Sequence, residues 1–213
     1  SLIERGDEIL KALQDHFTPT ETNESVLGPQ SLDTAYHAIA KNYDETLGGF
    51  GSSPKFPRPV TLNFLQRYAV QKTAKKEDRE KAKAMALFTL ERMAAGGMYD
   101  HLGGGFHRYS VDQFWHVPHF EKMLYDQAQL TIAYLEAFQV TGDTKFESVA
   151  REIMTYILRD MTDKKGGFYS AEDADSFFEQ GKPEHGEGVF YVWSQKEIIG
   201  LLGNEAATRF NEF

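Results

Sequence analysis

Gly48-Gly49-Phe50, Gly104-Gly105-Phe106 and Gly166-Gly167-Phe168 are three copies of one triplet, their phenylalanines 56 and 62 residues apart. Each closes a stretch of helical periodicity and opens a polar, aromatic-rich loop that leads into another helical stretch. Recurrence at such an interval is an internal repeat. A period of about 60 holds two helices of roughly 15 residues, a tight turn and a long loop. Three α-hairpins lying side by side, their Gly-rich loops at one end, satisfy this pattern.

Periodicity places the hairpins over residues 31–72, 78–141 and 143–203, with residues 1–30 as a helix and linker. In the first, Leu32, Ala35, Tyr36, Ile39, Ala40 and Tyr43 share one helical face, and Gly48-Gly49 is expected to end that helix. Pro59 suits the first turn of its partner. The second hairpin follows a charged turn, Lys72 to Glu80, and its first helix closes at Gly96-Gly97. The third opens with Thr144 and Glu147 as a capping box, and Ser194 with Glu197 forms another before its second helix, which Gly203 stops. Residues 168–170 and 189–192 are predicted as a short β-hairpin. Solenoid repeats run to about 34–47 residues with tight turns. The longer period here favours an all-α fold, a partial (α/α) toroid of three hairpins. That is about half of a six-hairpin ring, with short β-hairpins in the loops. A half-ring exposes apolar helix faces, so more chain, a second copy or another domain is expected to cover them.

Net charge −9 over 213 residues argues against a nucleic-acid or anionic-membrane partner. No apolar run approaches the roughly 18 residues of a membrane span, and Ser1-Leu2-Ile3-Glu4-Arg5 lacks a signal-peptide layout. Without cysteine there is no disulfide or thiolate metal site. A soluble, cytoplasmic protein is expected. The chain starts without Met and stops within a helical pattern, as a piece of something longer would.

The second loop carries four of the seven histidines, His101, His107, His116 and His119. His116-x-x-His119 lacks the helical spacing of zinc ligands and contains Pro118, so no metal is assigned, and no cofactor is called for. Asp100, His107, Arg108, His119, Glu121 and Asp126 supply the carboxylates, imidazoles and guanidinium of general acid–base chemistry, and are the candidate catalytic residues. The competing view is structural: histidines holding loop carbonyls, and Lys122 with Asp126 as an ordinary ion pair on one helical face. Glu172, Asp173 and Asp175 in the third loop lack the EF-hand order and read either as a solvated acidic turn or as ligand contacts. Aromatic rings among these polar groups suit a sugar, which has apolar CH faces and a rim of hydroxyls, although several rings must simply pack the loops. The candidate substrate-binding set is Phe50, Lys55, Phe106, Trp115, Lys122, Tyr125, Gln127, Glu172, Asp173 and Asp175.

Four stretches, Pro54–Pro57, Tyr99–Ser110, Trp115–Gln127 and Tyr169–Ser176, together resemble the spermatogenesis-associated, thioredoxin-like protein family, over nearly all of residues 31–200. The resemblance implies a thioredoxin-like domain upstream of this chain and a six-hairpin toroid of which the chain would form the first half. That toroid is similar to those of the N-acylglucosamine and cellobiose 2-epimerases, whose Lys-x-x-Trp-x-Gln-x-Arg helix matches Lys122-x-x-Tyr125-x-Gln127-x-Gln129. Gln129 stands where the epimerases place arginine, and their catalytic histidines lie in later hairpins. The expectation is a carbohydrate-binding or carbohydrate-active toroid of isomerase, epimerase or glycosidase type, whose partners are a sugar, the thioredoxin-like domain and the second half of the ring. The alternative is a non-catalytic module that holds a peptide or the thioredoxin-like domain itself.

Overall fold

Periodic apolar stripes give seven α-helices in the computed structural model, which describes residues 2–17 and 28–212. They are α1 (Leu2–Phe17), α2 (Pro29–Ala40), α3 (Pro59–Tyr68), α4 (Lys76–Ala95), α5 (Leu124–Thr141), α6 (Thr144–Asp160) and α7 (Gln195–Phe210). The predicted linker falls mostly on residues 18–27, outside the described residues. In chain order α2/α3, α4/α5 and α6/α7 are the helix pairs that flank the three long loops. Helix α3 packs on α4 and α5, and α5 packs on α6. Leu62 and Leu65 of α3, Met85 and Leu90 of α4, Leu130 and Tyr134 of α5, and Phe146 and Ile153 of α6 meet in one buried cluster. The Tyr134 hydroxyl, deep in that cluster, donates to the Leu90 carbonyl at 2.8 Å, so its burial leaves no polar group unpaired.

The Gly-Gly-Phe triplets do not end helices. Helix α2 stops at Ala40, and the chain then folds so that Tyr43 bridges Phe50, with the glycines at the tip. Tyr99 bridges Phe106 and Thr162 bridges Phe168 in the same way. Each turn opens on an aspartate whose N–H donates to the carbonyl of the second glycine, from Asp44 to Gly49, Asp100 to Gly105 and Asp163 to Gly167. Gly48 and Gly49 adopt φ of 73° and 85°, and Gly104 and Gly105 of 80° each, the left-handed region that a Cβ disfavours.

Other local expectations shift for identifiable reasons. Helix α4 starts at Lys76 inside the predicted charged turn, because Glu77 and Asp78 favour a helix N-terminus. Asp143, not Thr144, caps α6, accepting from the Lys145 N–H, while the Ser194–Glu197 capping box on α7 is present. Gly203, at φ 75°, interrupts α7, but helical backbone resumes to Phe210.

The loops hold more β-structure than expected, as three antiparallel pairs: β1 (Tyr109–Ser110) with β2 (Pro118–His119), β3 (Lys122–Met123) with β4 (Ala171–Glu172), and β5 (Asp175–Phe177) with β6 (His185–Glu187). Val189–Tyr191, predicted as strand, is a single 3-10 turn. Lys122 therefore lies on a strand, and the expected helical ion pair with Asp126 does not form. Among the described residues no helix is long and apolar enough to cross a membrane.

Candidate functional site

Two kinds of charged assembly arise from the loops, and they differ in whether their charges are satisfied. The first is a caged lysine, built twice. Lys55, 1 % exposed, donates to Asp44 at 2.6 Å and to the Gly48 carbonyl at 2.8 Å, with Trp115 as a ring neighbour at 5.5 Å. Lys122, equally buried, donates to Asp100 at 2.8 Å and to the Gly104 carbonyl at 2.9 Å, beneath Tyr156 at 4.4 Å. Burial drives the Asp100 carboxyl up, but the Lys122 ammonium and the Gly103 and Leu102 N–H groups outweigh it and hold the acid below its ordinary range. An ammonium so enclosed commits two of its three N–H donors to its own cage and has a ring beside it.

Six residues expected to touch substrate are therefore interior. Phe50, Phe106, Trp115, Lys55, Lys122 and Gln127 are all buried. Gln127 clamps the backbone of Phe106, its amide donating to that carbonyl and its oxygen accepting from that N–H. The Trp115 indole donates to the Leu47 carbonyl at 2.9 Å. Asp100 belongs with them, as the partner of Lys122. Aromatic content alone cannot separate a ring that platforms a sugar from one that seals a turn, and here the second role took these positions.

The second assembly is open. Arg108 donates to Glu121 at 2.8 Å, and the β1–β2 pairing sets the His119 ring against Tyr109, centroids 5.0 Å apart. His119 Nε2 lies 3.8 Å from Glu121, and Nδ1 lies 2.6 Å from Glu187, which arrives from β6. The Arg108 guanidinium also reaches the hydroxyl of Tyr125, on the first turn of α5 and half exposed. Next to this chain of charges stands Asp126, only 6 % exposed and without a hydrogen bond from the described residues. Burial, seconded by Glu121, pushes its carboxyl up to about 6 against the pull of Arg108. A buried carboxyl with no partner is costly unless it is protonated or receives a ligand. The arrangement sets a carboxyl raised towards neutrality near Arg108 and Glu121, and holds the His119 imidazole by Glu187, groups of the kind that acid–base chemistry uses.

His107 stands apart from this cluster. It is buried, its Nδ1 3.0 Å from the Phe120 carbonyl, and burial with the nearby Lys122 charge lowers it to about 4, so the ring is neutral and structural. Glu172 accepts from the Tyr156 hydroxyl, while the Asp173 carboxylate accepts from the Asp175 N–H at 3.0 Å within its own turn. Asp175 lies 3.7 Å from His185. Among the described residues no group of three or more His, Asp or Glu is placed to hold a metal ion. Glu187 was visible in sequence only as one more loop acid. Nothing in spacing links it to His119, 68 positions away.

No protein-family model matches the chain. Over 168 residues, 78 % of this chain, it is 52 % identical to spermatogenesis-associated protein 20 of Rattus norvegicus, of which it spans only 21 %. Among solved structures, cellobiose 2-epimerase from Bacillus thermoamylovorans B4167 is similar with a TM-score of 0.54 at 17 % identity, covering 68 % of this chain and 40 % of that one. A sugar epimerase from a ruminal bacterium gives 0.54 at 15 % identity, over 86 % and 52 % respectively. At such identities the likeness establishes the fold alone: an all-α arrangement of hairpins of the kind these epimerases build into an (α/α) toroid.

Proposed function

We propose that the chain contributes one wall of a carbohydrate-active toroid, with Asp126, Arg108, Glu121, His119 and Glu187 at the sugar. The observation that carries this reading is the unpartnered, nine-tenths buried Asp126 beside Arg108 on a fold shared with sugar epimerases. A protonated Asp126 donates to a ring or anomeric oxygen. His119, held by Glu187, accepts a proton from carbon or hydroxyl, and Tyr125 offers a half-exposed ring face. Both halves of a proton exchange are then supplied by side chains, as isomerisation or epimerisation requires.

The test is a thermal-shift screen of the whole protein against monosaccharides, disaccharides and sugar phosphates. A ligand at 100 times its Kd adds about 2.7 kcal/mol, which raises Tm by roughly 5–11 °C for a domain of this size. Asp126→Asn and His119→Ala should each weaken the hit at least about tenfold, the loss of one good polar contact. No shift with any sugar would overturn the reading.

A second reading, an interaction module holding a peptide or a thioredoxin-like domain, draws on Gln129. That residue stands in for the epimerase arginine, and it lines an apolar groove with Val60, Phe64 and Ile132. Competition between sugars and such a partner for the same surface would separate the two.

A further inference from the structure

The two lysine cages differ in what lies beyond the ring. Beside Lys55 the Trp115 indole is fully buried and tied to the Leu47 carbonyl, so that enclosure ends in packed core. Beside Lys122 a cleft of about 530 Å³ opens between the tip of the second loop, the last turn of α6, β4 and the Val189–Tyr191 turn. Lys122 is at its floor, Tyr156 and Tyr191 flank that ammonium, and Arg159, Asp160 and Glu172 stand around it. None of these residues belongs to the acid–base group. Lys122 follows Glu121 on extended chain, so the two side chains leave on opposite faces.

Lys122 and Glu172 are direct cross-strand partners in β3–β4, a register in which opposite charges on one face favour each other. Here each bonds elsewhere: Lys122 to Asp100 and the Gly104 carbonyl, Glu172 to the Tyr156 hydroxyl. One Lys122 N–H is left with only two rings beside it, Tyr156 at 4.4 Å and Tyr191 at 5.2 Å. Glu172 keeps spare lone pairs. Arg159 commits Nε and Nη2 to Asp160 and the Gly103 carbonyl, and its Nη1 bonds none of the described residues. Burial and the charges of Glu172, Asp100 and Asp160 hold the Tyr191 hydroxyl above its ordinary range, so it stays a donor facing the same acids.

The signs of these groups decide what the cleft accepts. Each cation already has an aspartate, Lys122 with Asp100 and Arg159 with Asp160, which leaves Glu172 as the surplus charge. An anion entering here meets that carboxylate, and an ammonium lies against Lys122 and Arg159. A hydroxyl suits both, since it donates to Glu172 while accepting from Lys122 or Arg159. The volume is that of a small-molecule site. We propose that this cleft is a second ligand site, separate from the acid–base group, and that it takes a neutral polyol of about one sugar ring, with one hydroxyl bridging Lys122 and Glu172 and another on Arg159. The exposed Phe190 ring lies at its rim, where it can cover a CH face.

Calorimetric titration of the whole protein with glucose, in a His119→Ala, Asp126→Asn background that strips the contacts proposed for the other site, reads this cleft alone. Saturable binding is expected there. Glu172→Gln, which still accepts from Tyr156 and so spares the fold, should weaken it at least about tenfold, as should Arg159→Met at a half-exposed position. Glucuronate, the same ring with one negative charge, should bind at least about tenfold more weakly than glucose. Without any further substitution, saturating glucose should slow amide exchange at residues 189–191. A β-linked disaccharide that binds more tightly than glucose would make the bound ring one unit of a longer saccharide, and equal affinity would make it a free ligand. No saturable binding in that background, glucuronate as tight as glucose, unchanged affinity in both variants, or exchange slowed only elsewhere would overturn the proposal.

Discussion

Asp126→Asn isolates the charge on which the site's chemistry depends. An unfolded aspartate titrates near 3.9, whereas burial pushes this one up to about 6. A difference of about 2 units corresponds to roughly 3 kcal/mol. The sign follows from proton uptake: between those values the folded chain holds the proton more tightly, so its stability is complete below about pH 4 and falls as pH rises through about 6. Asparagine has the same shape and no charge at any pH. The variant should therefore match the parent near pH 4 and exceed it by about 3 kcal/mol near pH 7.5. That is a Tm rise of roughly 6–12 °C for a domain of this size.

The parent's own pH curve cannot show this. His107, lowered to about 4 by burial, gains stability with rising pH over much of the same window and opposes Asp126. Subtracting the two curves removes His107, which both proteins share. Thermal or urea unfolding of both proteins, from about pH 4 to pH 7.5 in steps of about half a unit, gives the difference curve. A constant offset, or a variant weaker than the parent at neutral pH, would mean that Asp126 is ionised and bound by Arg108, and the acid role would fall with it.

The caged lysines should behave alike despite lying 67 positions apart. Lys55→Met and Lys122→Met each strand a carboxylate and should cost about 3–5 kcal/mol in urea unfolding, while Lys81→Ala, which breaks an exposed helical pair with Glu77, leaves the midpoint unmoved. Equal, small effects at all three positions would count against the cages as structural. Glu187→Gln should speed amide exchange across residues 173–191, because that carboxylate ties the third loop to both His119 and the Phe120 N–H. It should leave overall stability nearly unchanged, since the pair is well exposed. Unaltered exchange would show that Tyr191, stacked on Phe120, holds the loop alone.

Helix number and the repeated Gly-Gly-Phe turns were legible in the chain, because apolar residues at three- and four-residue steps and paired glycines are local signals. The same locality explains the errors. Gly48-Gly49 reads as a helix stop until Tyr43 is seen to bridge Phe50, and Lys122 reads as helical until Glu172 of β4, 50 positions away, pairs with it. Composition put Arg108, His119, Glu121 and Asp126 in one loop and marked them as acid–base material, and it marked Lys55, Lys122 and Trp115 as binding residues with equal force.

Only tertiary packing separated these groups. Whether a charge is available depends on what long-range folding places against it: Asp44, Asp100 and two aromatic rings close over the lysines, none of the described residues donates to Asp126, and Glu187 reaches His119 across 68 residues. Local sequence determines where backbone turns and which faces are apolar. Desolvation and pairing belong to neighbours distant in the chain, so the line between scaffold and site was drawn by the fold.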